Sequence, residues 1–139
     1  MLWQAPGAKD NGIGAFLMVM GTPTAVCVSD LYVEAGLNWK GPISGRSHDS
    51  LGLGVAHLHI DPAYQQYATN ALIASGERPN VKSSETVIEA TYLYEVAPWW
   101  IVQPDLQFVI NPRAGLPNPV DNRSLANALA TGMRMTVKF

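Results

Sequence analysis

Runs in which apolar and polar side chains alternate residue by residue constrain this chain more than any other feature. Over residues 31–40, Leu31, Val33, Ala35, Leu37 and Trp39 fall on one side, and Tyr32, Glu34, Gly36, Asn38 and Lys40 on the other. This is the period of a strand with one greasy and one wet face. Residues 100–111 repeat the split: Trp100, Val102, Pro104, Leu106, Phe108 and Ile110 oppose Ile101, Gln103, Asp105, Gln107, Val109 and Asn111. The last segment sets Leu129, Thr131, Met133, Met135, Val137 and Phe139 against Ala130, Gly132, Arg134, Thr136 and Lys138. Residues 12–20, 51–60 and 86–96 fit less cleanly, and together these runs make about six strands. Each is roughly 9–11 residues long, beyond the usual soluble strand and suited to a tilted strand crossing hydrocarbon. Pro104 has no N–H to give to a ladder and is expected at an edge or a bulge.

The connections differ in length in a regular way. Residues 41–49 form a moderate polar link and Ala97-Pro98-Trp99 a tight turn, whereas 22–30, 61–85 and 112–123 are longer and rich in Pro, Asn, Gly or Ser. An up-and-down sheet then carries short and long connections at opposite ends. The longest one predicts a short surface helix: Asp61 as N-cap, Pro62 at the first helical position, Tyr64, Tyr67, Ala68, Ala71 and Leu72 at helical spacing, and Gly76 beyond the end. Chain parity brings Trp39, Trp99, Trp100 and Phe139 to the short-turn end, with Trp3 beside them if residues 1–4 end an earlier strand. Amphipathic rings gathered at one rim are the pattern of a barrel's girdle at headgroup level.

Composition removes several function classes. The 139 residues of 15.0 kDa are one domain's worth, and 47% hydrophobic residues argue against disorder. Nine Lys+Arg against 11 Asp+Glu, with a pI near 5.8, leave no basic face for nucleic acid. Only 14% of residues are charged, yet the mean hydropathy of +0.05 is far from that of a helical membrane protein. The longest apolar run, 13–20, is too short to cross a bilayer as a helix. The single Cys27 makes no internal disulfide, and no CxxC or Cys/His cluster has zinc spacing. The opening MLWQAPGAKD lacks the features of a secretory signal, so the expectation is a cytosolic chain or one that is not the whole product.

The runs GIGAFLMVMG, LYVEAGLNWKGPISGR, DSLGLGVAHLHI and ETVIEATYLYEVAPWWIVQPDLQFVINP, with the final strand ending in Phe139, resemble the C-terminal part of the carbohydrate-selective porins, the OprB family. The most specific pieces are AGLNWKG, LGLGVA and the hairpin holding TY, PWW, VQPDLQ and NP. A terminal Phe is shared by many outer-membrane barrels. The resemblance implies an antiparallel barrel of about 16 strands, exported to the bacterial outer membrane, that lets sugars diffuse through its lumen. The fold class expected is therefore all-β: residues 1–139 as a single domain, a transmembrane β-barrel segment of about six strands with a short helix in one long loop. Backbone groups in lipid must all be paired, so such a piece has to be completed by further strands or by copies of itself.

On this reading the wet faces line a water-filled lumen, and Glu34, Asn38, Lys40, Glu89, Gln103, Asp105, Gln107 and Arg134 are the residues expected to meet permeating sugars. An ordinary solvated sheet face has the same periodicity. Outer-membrane lipid is the second partner, association into homo-oligomers is compatible with the pattern, and neither catalysis nor a cofactor is expected. Glu34, Glu89 and Asp105 as a glycosidase pair would need a desolvated pocket and a carboxyl separation of about 5–9 Å that nothing in the spacing encodes. His57, His59 and Asp61 share a strand face, with His48 nearby, but that face continues Leu51, Leu53 and Val55. They are read as rim histidines rather than metal ligands. Cys27 with Asp30 offers no oriented base, and Gly52-Leu53-Gly54 lacks the third glycine and helix of a nucleotide loop. Asn122-Arg123-Ser124 matches a glycosylation acceptor only weakly. The competing reading is a small soluble β-barrel or sandwich that binds an apolar ligand. Orientation separates the two, since Leu37, Leu106 and Met135 would pack in a dry centre in the second case and face outward in the first.

Overall fold

Alternating runs of this length form extended ladders, and each pairs with the next. The computed structural model describes residues 2–4, 11–23, 27–118, 120, 123 and 125–139. Its strands are β1 (Trp3–Gln4), β2 (Gly12–Gly21), β3 (Ser29–Lys40), β4 (Ser50–Ile60), β5 (Ser84–Ala97), β6 (Trp100–Ile110) and β7 (Ala128–Val137), with helix α1 (Pro62–Ala74) between β4 and β5. They make one antiparallel sheet in chain order, β1 to β7. The sequence anticipates its six long strands, and β1 is the short end of the earlier strand proposed at Trp3. Asn122 and Ser124 lie outside the described residues.

Short and long connections do segregate. The β3–β4 and β5–β6 connections lie at one end, and the β2–β3, β4–β5 and β6–β7 connections at the other. The tryptophans gather at the short-turn end. Trp3 and Trp39 flank Ile13 on neighbouring strands, Trp100 pairs with Val137, and the Trp99 and Trp100 rings stack with centroids 6.1 Å apart at 18°. The Lys138 N–H donates to the Trp99 carbonyl at 2.8 Å, which brings Phe139 to the same rim.

At the opposite end the long connections pack on one another. Asp61 caps α1, its Oδ1 accepting from the Ala63 and Tyr64 N–H groups at 2.8 and 3.1 Å, and Gly76 follows the helix at φ +79°. Only Ala68 of the helix is buried. Ile60, Ala68 and Ala114 are the buried apolar residues among those described. A short 3-10 turn (Pro112–Gly115) is tied down by the Lys82 N–H to the Ala114 carbonyl at 2.7 Å and by the Arg113 N–H to the Glu85 carboxylate. Asn111, Arg113 and Ala114 all take positive φ there, a conformation that costs about 1–3 kcal/mol at each non-glycine and persists only where surroundings over-determine it.

Pro104 departs from expectation. It lies in β6, an interior strand, paired with Met133 on the β7 side. On the β5 side the register skips from Thr91–Asp105 to Tyr94–Val102. The Thr91 hydroxyl donates to the Pro104 carbonyl at 3.2 Å and accepts from Gln103 Nε2 at 3.0 Å. Side-chain bonds thus bridge the stretch where the imino acid cannot donate.

Exposure also alternates with period 2, and in the opposite sense to a soluble sheet. Along β4 to β6 the apolar positions Leu53, Val55, Ile88, Leu106 and Phe108 are exposed, while Gln103, Asp105, Gln107 and the Leu58, Val87 and Val109 that share their side are half-buried. The polar side is thus the more crowded of the two, and is the inner face of the sheet. Leu37, Leu106 and Met135 are 47%, 46% and 57% exposed. They form no dry centre, which disfavours the soluble alternative.

Candidate functional site

The inner face is ordered by register into rows running across the strands. Phe16, Gly36, Gly54, Glu89 and Gln107 form one row, and Asn38, Gly52, Thr91, Asp105 and Gly132 the next. Glu34 lies opposite Ala56, Lys40 opposite Ser50 at the short-turn end, and Gln103 opposite Arg134. All eight polar residues singled out in the sequence therefore share one face, because each follows from strand parity once neighbouring strands are in register. They are spread over β3, β5, β6 and β7 rather than converging on a point.

Neutral donors orient two of the carboxylates. Gln107 Nε2 donates to Glu89 Oε2 at 2.8 Å, and the Tyr32 hydroxyl to Glu34 Oε2 at 2.9 Å. An ionised carboxylate has about four acceptor positions, so each keeps capacity for further hydroxyls. Asp105 stands over Gly132, where an added Cβ would lie 2.5 Å from Asp105 Oδ1; the glycine makes room for the acid. Glu34 and Glu89 are half-buried and held by separate partners, not paired in a desolvated pocket as a catalytic acid requires. A trough of about 270 Å³ opens on this face between Phe16 and Glu89, with Glu34 and Asn38 beside it.

Sequence reasoning missed two features. Phe16 points to the polar face, a fact hidden because β2 is apolar on both sides and only its pairing with Gly36 assigns a side. Asp49, in the polar link 41–49, is 1% exposed. Arg46 donates to it through Nε at 2.5 Å and Nη2 at 3.1 Å, the Tyr92 hydroxyl at 2.6 Å and the Glu95 N–H at 3.0 Å. Arg46 also bonds the Glu95 carbonyl at 2.9 Å and lies 3.9 Å above the centre of the Tyr94 ring. Burial alone would raise the Asp49 carboxyl, but the Arg46, Tyr92 and Glu95 hydrogen bonds outweigh it and hold the group at about 2. This cluster clamps the link to β5.

His57 and His59 have protein partners towards the long-loop rim, His57 Nδ1 lying 2.8 Å from Thr86 Oγ1 and His59 Nδ1 2.6 Å from Asp30 Oδ1, while His48 lies in the short-turn link 41–49. Asp61 is occupied as the helix cap. Cys27 is exposed.

An open antiparallel sheet with one polar and one apolar face has the build of a segment of a transmembrane β-barrel, and comparisons with known proteins agree. The sequence model of the carbohydrate-selective porin, OprB family, matches residues 1–139. Porin B of Pseudomonas aeruginosa is 29% identical over 140 residues, covering 96% of this chain and 29% of the relative. Putative porin QuiX of Acinetobacter baylyi is 27% identical over 116 residues, covering 76% and 25%. The high-pH structure of Pseudomonas putida OprB superposes with a TM-score of 0.78 at 27% identity, over 94% of this chain and 31% of that one. The chain spans less than a third of the length of these relatives. It belongs to the carbohydrate-selective porin family, OprB.

Proposed function

We propose that this chain is one contiguous stretch of the wall of an outer-membrane β-barrel through which carbohydrates diffuse passively. Its greasy face meets acyl chains, and its aromatic rim with the short turns lies on the periplasmic side. Glu34, Asn38, Lys40, Glu89, Gln103, Asp105, Gln107 and Arg134 line the water-filled lumen. They exchange hydrogen bonds with sugar hydroxyls weakly enough for release, and no bond is made or broken in the solute. Further strands, from the rest of the barrel or from other copies, close the open edges of β1 and β7. The observation that carries this reading is the inverted exposure along β4 to β6, with Leu106 and Phe108 outside and Asp105 and Gln107 inside.

Vesicle swelling tests it. Vesicles holding the closed barrel should swell in isosmotic glucose without any ion gradient, at a rate linear in the sugar gradient at low concentration. Vesicles that pass small ions but exclude glucose would refute the proposal.

A further inference from the structure

We propose that Phe16 is the stacking platform of a saccharide subsite on the inner wall, facing Glu89 across a trough floored by Gly52 and Gly54. The inference rests on the reading of this face as a sugar channel and names the place where a ring binds.

The row Phe16–Gly36–Gly54–Glu89 crosses four adjacent strands. Strands lie about 4.8 Å apart, so the backbones at its ends are about 14 Å apart. Neither intervening position has a side chain. A Cβ added at Gly36 would sit 2.5 Å from Phe16 Cε1 and 2.8 Å from its Cζ, so the ring lies over that glycine and depends on it. Gly54 leaves the centre of the trough open. The glycine pair of the LGLG run, unsuited to a nucleotide, acquires a use here: it clears the wall opposite an aromatic ring.

Phe16 borders a trough whose lining is polar at Glu34, Asn38, Thr91 and Glu89 and apolar at Ala56 and Val87. A pyranose fits what surrounds it. One side of the sugar ring presents C–H groups, which the negative face of an aromatic ring attracts, while its rim of hydroxyls donates to carboxylates. Glu34 and Glu89 offer acceptors on either side of the trough, and the Asn38 amide offers both donor and acceptor. A linear polyol has the same hydroxyls but no flat C–H face, so the site is selective for cyclic sugars.

The test is ion-current recording through the closed barrel in planar bilayers, with glucose and then mannitol titrated as blockers. Phe16→Ala and Phe16→Leu should raise the half-blocking glucose concentration about fivefold to tenfold, Phe16→Trp should leave it near the native value, and mannitol should respond equally in all four proteins. The leucine variant keeps apolar bulk, and the tryptophan variant shows that substitution at this position preserves the fold. Unchanged glucose block in Phe16→Ala, or parallel shifts for glucose and mannitol, would overturn the platform while leaving the channel standing. A native barrel that conducts ions yet passes no glucose would remove the channel reading as well.

Discussion

Arginine in place of Leu106 interrogates the outer face directly, because its neighbour Gln107 permits the same change on the inner one. Leu106 lies mid-way along β6, paired with Ala90 and Thr131, and is 46% exposed. Full burial of a leucine is worth about 1.5–3 kcal/mol, so on the proposed reading lipid over the exposed half would contribute ~1 kcal/mol that the substitution forfeits. An arginine on the lipid face of a barrel at mid-depth costs a further ~2–4 kcal/mol. The expected loss is therefore about 3–5 kcal/mol. Gln107→Arg gives up the 2.8 Å hydrogen bond to Glu89, about 1 kcal/mol, and the guanidinium regains part of it beside the same carboxylate. Urea titration of the closed barrel in phospholipid vesicles, with folded protein read from its heat-modifiable gel mobility, measures both. A midpoint for Leu106→Arg equal to or above that of Gln107→Arg would refute the assignment of faces.

Three further outcomes follow from the ends of the barrel wall. Asp49→Asn should cost ~2 kcal/mol by leaving Arg46 without its counter-charge. Because Asp49 is held at about 2 against an ordinary 3.8, its contribution is complete above pH 4 and disappears as pH falls through 2. The gap between native and variant urea midpoints should thus close over that window, and a gap that persists at pH 2 contradicts the clamp. Asp61→Ala should remove the cap of α1 at a cost of ~1 kcal/mol, read as faster amide hydrogen exchange at Ala63 and Tyr64 with sugar block unaltered; protection equal to the native protein would count against the cap. Trp99 and Trp100 fluorescence should be quenched more strongly by lipids labelled near the headgroup than by lipids brominated at the acyl terminus, and the reverse order would displace the girdle.

Much of this architecture is legible without coordinates of any kind, because the signals are local. Side-chain period 2 marks the strands from 31 to 40 and 100 to 110, Asp61-Pro62 and Gly76 bracket the helix, and odd and even counts along the chain place the tryptophans at one rim. The motifs carrying the family resemblance are equally linear. Once strands pair in order, the polar residues from Glu34 to Arg134 must share a face.

What the sequence leaves undecided is whatever depends on which strand positions stand opposite one another. Strand β2 has no polar side, so nothing in GIGAFLMVMG distinguishes Phe16 from Leu17; pairing with Gly36 does. Gly36, which makes room for the Phe16 ring, and Gly54, which lines the trough, lie 18 residues apart in the chain and meet only through the β3–β4 register. Asp49 and Tyr92 are 43 residues apart, and their 2.6 Å contact, like the burial of the acid, exists only after three strands have assembled. Pro104 lies inside the sheet, and the hydroxyl its carbonyl accepts from belongs to Thr91, 13 residues away on the neighbouring strand. Local periodicity determines which side chains share a face; long-range pairing alone determines which of them become neighbours, since cross-strand contacts are made by register and not by proximity in the chain.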